Sequence, residues 1–268
     1  MCGGGPIDLD TARARLQAVG DRVGSLLRSG IDGDAAIPGL GWTAAECAAH
    51  LVSSTQAFSG YVTGTPAPVA DATEIAAVNE RRIRELDERE PSRLAELLEE
   101  ALGTFLDEAD KRPPDQPVTW YQREAAFDLA AATCLLLGEL VVHGLDLARS
   151  ASRSWPIERA DALLAIQGSL PLMPAYVDPT SAKGLDVRYE LRLRDGPQVG
   201  LAFTDGELAI EVPVAGPVDC RLSADPVTYL LVAYGRQGQW SGILTGKLLA
   251  WGRRPWLGMR FPDLFLRP

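Results

Sequence analysis

Gly138-Glu139-Leu140-Val141-Val142-His143-Gly144-Leu145-Asp146-Leu147-Ala148 sets a carboxylate and an imidazole four residues apart in an otherwise apolar run. The apolar character extends on both sides, and the spacing predicts a helix from about Arg123 to Ser150. At helical rise, Glu139 and His143 are about 6 Å apart along the axis and on one face. Glu139 lies within the apolar stretch Cys134 to Val142. An ionised carboxylate there is costly to bury unless a metal, a partner cation or solvent compensates it.

Working back toward the N-terminus, three more helical regions precede this one. Asp8 to Arg28 repeats apolar residues at Leu9, Ala12, Leu16, Val19, Val23, Leu26 and Leu27. After a Gly- and Asp-rich loop, Thr43 and Glu46 form a capping-box pattern that opens a helix to about Tyr61. Pro66 and Pro68 mark a loop. Asp71 to Asp110 is the third region, broken at Glu90-Pro91 and restarting at Ser92 with Glu96 nearby. Residues 112–121 hold three prolines and read as a loop. Amphipathic helices joined this way predict a four-helix bundle.

Beyond Ser154-Trp155-Pro156 the pattern changes. Ile157 to Ala175 reads as helix. Val187 to Arg194 then alternates strictly between apolar and charged residues, the signature of a half-buried strand, and Asp195-Gly196 follows as a turn. Val199 to Phe203, Leu208 to Val212 and Val218 to Leu222 are further short strands. A helix runs from Ser223-Ala224-Asp225-Pro226 to about Tyr234, Lys247 to Trp251 is a last strand, and Pro255 to Phe265 a closing helix. The expected fold class is α+β. Residues 6–154 form a helical bundle, and residues 155–268 a small α+β domain with an antiparallel sheet.

Composition narrows the function classes. Hydrophobic residues make up 46% of the 268, enough for a real core. The N-terminus lacks a basic region followed by an apolar one, and the longest apolar run is interrupted by Gly138 and Glu139. No secretory signal and no membrane span are therefore expected, and the cytoplasm is the expected compartment. Net charge is −10, and the excess acid falls in residues 1–180, which argues against nucleic acid as a partner. The alternating charges from Glu80 to Glu90 read as a solvated helix face. Three lysines beside 23 arginines, with abundant alanine, match the codon usage of a GC-rich genome such as an actinobacterial one. Cys2, Cys47, Cys134 and Cys220 form no CxxC pair and are expected as free thiols. Cys47 and Cys134 read as buried small hydrophobes.

The chain has two histidines, His50 and His143, both in predicted bundle helices. With Glu139 they make two imidazoles and a carboxylate, a common set for catalytic zinc whose fourth position stays open. Spacing alone leaves a second reading open, in which each histidine is a surface or hydrogen-bonded residue and Glu139 faces solvent. Asp146 is either an acceptor that orients His143 or a solvent-facing carboxylate. Gly242 to Lys247 is one residue short of a phosphate loop and lacks the following hydroxyl residue. GxSxG and dinucleotide fingerprints are absent.

Two motifs add a family. Gly41-Trp42-Thr43 through His50-Leu51, and Gly138-Glu139 through His143 to Asp146-Leu147-Ala148, resemble the paired motifs of the mycothiol-dependent maleylpyruvate isomerase family, part of the DinB-like bundle superfamily. The resemblance covers residues 8–150 and implies that His50, Glu139 and His143 hold a divalent metal, zinc by preference. It also implies mycothiol as the low-molecular-weight thiol, and a small-molecule electrophile or unsaturated acid as its partner. The C-terminal half resembles a sterol carrier protein type two domain, through Val187 to Arg194, Asp225 to Tyr234 and Gly246 to Gly252. Tyr234-Gly235-Arg236 is similar to the family segment whose arginine joins the active site, which implies that role for Arg236. A helix C-terminal arginine answering the helix dipole is the competing reading. The expected activity is isomerase or thiol S-transferase. The alternative is a non-catalytic carrier holding an apolar ligand in the C-terminal domain.

Overall fold

A computed structural model describes residues 7–65, 72–118 and 127–266, which divide into two compact units on either side of Gly168. The first holds α1 (Leu9–Arg28), α2 (Ala44–Val62), α3 (Ile75–Glu85), α4 (Pro91–Asp110), α5 (Leu129–Ser150) and α6 (Arg159–Ser169). Helices α1, α2, α4 and α5 pack into the bundle, and α3 lies against α2. The core follows the periodicity of the sequence. Leu16, Val19, Val23 and Leu27 of α1 meet a seam built from Leu94, Leu98, Leu102 and Phe105 of α4, with Leu136, Leu137 and Leu140 of α5, all buried.

The ends of these helices have local causes. The Thr43–Glu46 capping box is formed: the Thr43 hydroxyl accepts from the Glu46 amide at 3.2 Å, and the Glu46 carboxylate accepts from the Thr43 amide at 2.8 Å. The third helical region does break at Glu90-Pro91, but the cap is Glu90 rather than Ser92. The Glu90 carboxylate accepts from the Ser92 and Arg93 amides, and Pro91 occupies the first helical position, where no amide hydrogen is needed. The start expected for the fourth helix, at Arg123, lies outside the described residues. The described helix begins at Leu129, where the Asp128 side chain accepts from the Ala131 amide at 2.7 Å. The loops around Pro66 and Pro68, and around residues 119–121, lie outside as well, as does Cys2.

The interruption at Gly138 and Glu139 does not by itself rule out a membrane span. Helix α5 is long and apolar enough to cross a membrane by length and composition, because Gly138 and Glu139 dilute its hydropathy too little. The same window is 89% buried inside the protein, so its apolar surface forms the bundle core.

The second unit carries β1 (Val187–Leu193), β2 (Gln198–Thr204), β3 (Glu207–Glu211), α7 (Pro226–Ala233), α8 (Gln239–Leu244) and α9 (Leu257–Arg260), with β4 (Cys220–Ala224) and β5 (Leu248–Gly252). The sheet order is β3-β2-β1-β4-β5. The sheet is mixed rather than antiparallel, since β1 pairs with β4 in parallel while the other neighbours are antiparallel. Alternation in a sequence reports which side of a strand is buried and carries no information on the direction of its neighbour. Val187, Tyr189, Leu191 and Leu193 point to the buried side of β1, where Tyr189 meets Phe203 and Phe261 edge to face. The expected closing helix is two short pieces, α9 and a 3-10 turn over Phe261–Leu264.

Two glycines in the bundle predict opposite effects. A Cβ on Gly144 would sit 2.2 Å from the Trp155 ring. That ring is held by its indole N–H on the Val141 carbonyl (3.1 Å) and by Arg22 stacked 4.2 Å above it. A Cβ on Gly24 meets only the far ends of Glu99 and Arg28. In urea unfolding, Gly144→Ala is expected to lower stability by about 1–3 kcal/mol, and Gly24→Ala to leave it unchanged or raise it by about 0.5–1 kcal/mol. Equal midpoints for the two variants would contradict this packing.

Candidate metal centre

His50 lies two turns into α2, and Glu139 and His143 lie one turn apart on α5, which packs against α2. The crossing brings the three side chains together, with one candidate donor atom from each within 4.8 Å of the others. His50 Nε2 is 3.3 Å from Glu139 Oε2, and His143 Nε2 is 3.6 Å from the same oxygen. The two imidazole rings meet edge to face at 4.9 Å. Both histidines are buried, and Glu139 retains 20% side-chain exposure, so the cluster opens to solvent on the carboxylate side.

The outer nitrogen of His143 is held from behind. Asp146, itself buried on the next turn of α5, places Oδ2 3.0 Å from His143 Nδ1. An ionised carboxylate accepts, so the Nδ1 position carries a proton and Nε2 faces His50 and Glu139. The competing reading of Asp146 as a solvent-facing residue is not what the fold shows. Cys47 Sγ, one turn before His50 on α2, lies 3.7 Å from the same Nδ1. Ser54, one turn after His50, places its hydroxyl 3.4 Å from the His50 ring nitrogens. Trp42 lies immediately ahead of the capping box, with its ring centroid 5.0 Å from that of His50 and 6.0 Å from that of His143, and walls one side of the cluster.

These surroundings set the charges. Burial opposes the ionised form of Glu139, but hydrogen bonds from His143 and His50 outweigh it and hold the carboxyl far below the usual range. Burial dominates at His50 and lowers its pKa, which keeps the ring neutral. Burial also disfavours charge on His143, yet the Cys47 sulfur with the Asp146 and Glu139 carboxylates prevails and raises its pKa well above the ordinary value. The metal-free cluster therefore carries one carboxylate, one neutral imidazole and one imidazolium.

Two of the three donor separations suit a tetrahedral cation, and all three lie within 4.8 Å. Bonds of about 2.0–2.1 Å place neighbouring ligand atoms about 3.3–3.4 Å apart, close to the 3.3 and 3.6 Å separations here. Arg236 stands in the other compact unit, after the C-terminal end of α7, where its guanidinium donates to the Tyr234 carbonyl at 2.6 Å. Cys47 and Ser54 join the cluster as residues not expected there, although their spacings of three and four residues from His50 mark one helix face. Cys134, also buried, has its thiol pKa pushed up to about 12 by burial and stays a core residue.

The family model described as the mycothiol maleylpyruvate isomerase N-terminal domain matches residues 13–148, a span that includes His50, Glu139 and His143. Among solved structures, the fold is similar to the crystal structure of the mycothiol-dependent maleylpyruvate isomerase. That match has a TM-score of 0.53 and 12% identity, and covers 91% of this chain and 92% of that one. A mutant of the same isomerase matches with a TM-score of 0.51, 12% identity and the same coverage. Comparison with curated protein sequences finds no match. The match over half the chain, with the two-motif bundle described above, shows that this chain belongs to the mycothiol maleylpyruvate isomerase N-terminal domain family.

Proposed function

We propose that this protein is a metal-dependent enzyme that uses a low-molecular-weight thiol, mycothiol, on a small unsaturated acid or other electrophile. The observation that carries the reading is the convergence of His50, Glu139 and His143 with Asp146 behind His143. In this reading His50 and His143 hold a divalent metal, zinc by preference, through Nε2, and Glu139 holds it through a carboxylate oxygen. The bound metal supplies a Lewis acid that favours the thiolate form of a thiol at neutral pH.

The chain's own residues do the rest. Asp146 fixes the His143 tautomer and ring orientation. Trp42 walls one side of the cluster, and the thiol enters from the Glu139 side, where the carboxylate keeps its 20% exposure. In maleylpyruvate isomerase chemistry, the thiol sulfur adds to the double bond of a cis-unsaturated acid. The resulting single bond rotates, and elimination of the same thiol restores the double bond as trans. In S-transferase chemistry the adduct is released instead. The isomerase form is the better supported of the two, through the family. Arg236 takes the role of a bidentate partner for a substrate carboxylate.

Three measurements test this. Elemental mass spectrometry on protein purified without chelators is expected to find near one zinc per chain, and a large loss in His143→Ala. A metal-free wild type, even after zinc is supplied, would leave a carrier of apolar ligands in the C-terminal domain as the better account. Asp146→Ala is expected to weaken zinc binding about 10–100-fold while zinc still binds. Unchanged affinity would remove Asp146 from the site.

The charge assignment gives the pH dependence. Metal needs neutral His143, whose pKa is raised in the metal-free protein, while His50 is already neutral and Glu139 already ionised. Zinc binding near pH 7 should therefore release close to one proton per chain. Apparent affinity should rise about tenfold per pH unit until His143 loses its own proton, and then level off. Calorimetry in buffers of different ionisation enthalpy reads this directly, and release of no proton would contradict the assignment.

A further inference from the structure

From Pro226 to Pro262 the chain contains no acidic residue and five basic ones, in a protein whose net charge is −10. The same stretch builds α8, the edge strand β5 and α9. Helices α8 and α9 lie side by side on β5. A Cβ on Gly242 would strike the Leu248 side chain, one on Gly258 would strike Ala250, and the Gln239 amide donates to the Met259 carbonyl at 3.1 Å. Their outward surface presents Trp240, Leu244, Trp256 and Met259 at 59, 85, 57 and 46% exposure. On the opposite side of β5, Leu249 and Trp251 are exposed as well. Six large apolar side chains, three of them tryptophan, thus wrap one edge of the sheet.

Cations ring this apolar edge. Lys247, Arg253, Arg254 and Arg260 are all exposed, and Arg254 alone of them lies near a carboxylate among the described residues, 3.8 Å from Asp219. Beside Trp251, Arg192 lies 5.5 Å from the ring centroid, and Arg192 and Arg221 share the single buried carboxylate of Glu190 at 2.6 and 2.9 Å. With Arg254 and Asp219 counted, three guanidiniums meet two carboxylates, which leaves that corner positive. Exposed apolar patches of this extent mark interaction sites.

We propose that the α8–β5–α9 edge docks on an anionic lipid membrane surface. Tryptophan, aliphatic side chains and arginine together suit the headgroup boundary, where rings and methylene groups enter the apolar layer and guanidiniums meet lipid phosphates. Shallow seating leaves the free backbone edge of β5 in contact with water, so no unpaired amide is carried into hydrocarbon. A second copy of the chain fits poorly. Antiparallel pairing of two β5 strands about Ala250 would set Lys247 opposite Arg253 at both ends, like charges in direct apposition. Nucleic acid would use the arginines and tryptophans but gains nothing from Leu244, Leu249 and Met259.

The test is co-sedimentation of the full-length protein with vesicles of phosphatidylcholine alone, and of equal parts phosphatidylcholine and phosphatidylglycerol. Binding to the mixed vesicles only, weakened by salt, is expected. Each cation near the surface contributes about fivefold, so Arg253→Glu/Arg254→Glu should lose at least about tenfold in partitioning. Trp240→Ala/Trp256→Ala should also weaken binding, but without steepening the salt dependence. An unchanged circular dichroism spectrum shows that a variant is folded. No sedimentation with either vesicle, or equal sedimentation with both, would overturn the proposal. So would a lipid-free dimer that the Arg253→Glu/Arg254→Glu protein strengthens or abolishes.

Discussion

Holding the largely enclosed Glu139 carboxylate near the middle of α5 is the constraint around which the bundle is arranged. A carboxylate in an apolar helix must meet opposite charge or hydrogen-bond donors. The fold answers with the chain's two histidines. His143 comes from the same helix one turn on, and His50 from a helix packed against it. Once the carboxylate is held ionised, it stabilises charge on His143, and Asp146 secures the ring from the other side. Three candidate ligands with an accessible side match the donor set of an open metal centre.

The rest of the helical unit keeps this crossing in place. The Thr43–Glu46 box fixes where α2 begins, which sets the phase of His50 and brings Trp42 over both rings. Asp128 does the same for α5 through the Ala131 amide. Gly144, next to His143, allows the Trp155 ring to lie directly on α5, so the helix is clamped from the side facing away from Glu139. The near-total burial of α5 follows from the same role: a helix that supplies two candidate ligands from its interior is enclosed by its neighbours.

Much of this was legible in the sequence because it rests on local signals. The Glu139–His143 pair, the Thr43 cap, the break at Glu90-Pro91 and the alternation of β1 are each written within a few residues. What depended on distant partners was not. Nothing near Glu139 states that His50 will face it, and there the family motifs carried the expectation. Asp146 could be read either way until its burial placed it on Nδ1. Cys47 was read only as core, because its neighbour His143 stands 96 residues away in the chain. The parallel pairing of β1 with β4 was missed for the same reason: alternation encodes a buried side and not a neighbour's direction.

Zinc K-edge X-ray absorption on the zinc-loaded protein, before and after addition of a small thiol, tests the central claim most directly. The account predicts two imidazole nitrogens and a carboxylate oxygen at about 2.0–2.2 Å, with a sulfur scatterer at about 2.3 Å appearing only when thiol is present. A spectrum without imidazole, or one showing protein sulfur before any thiol is added, would contradict it.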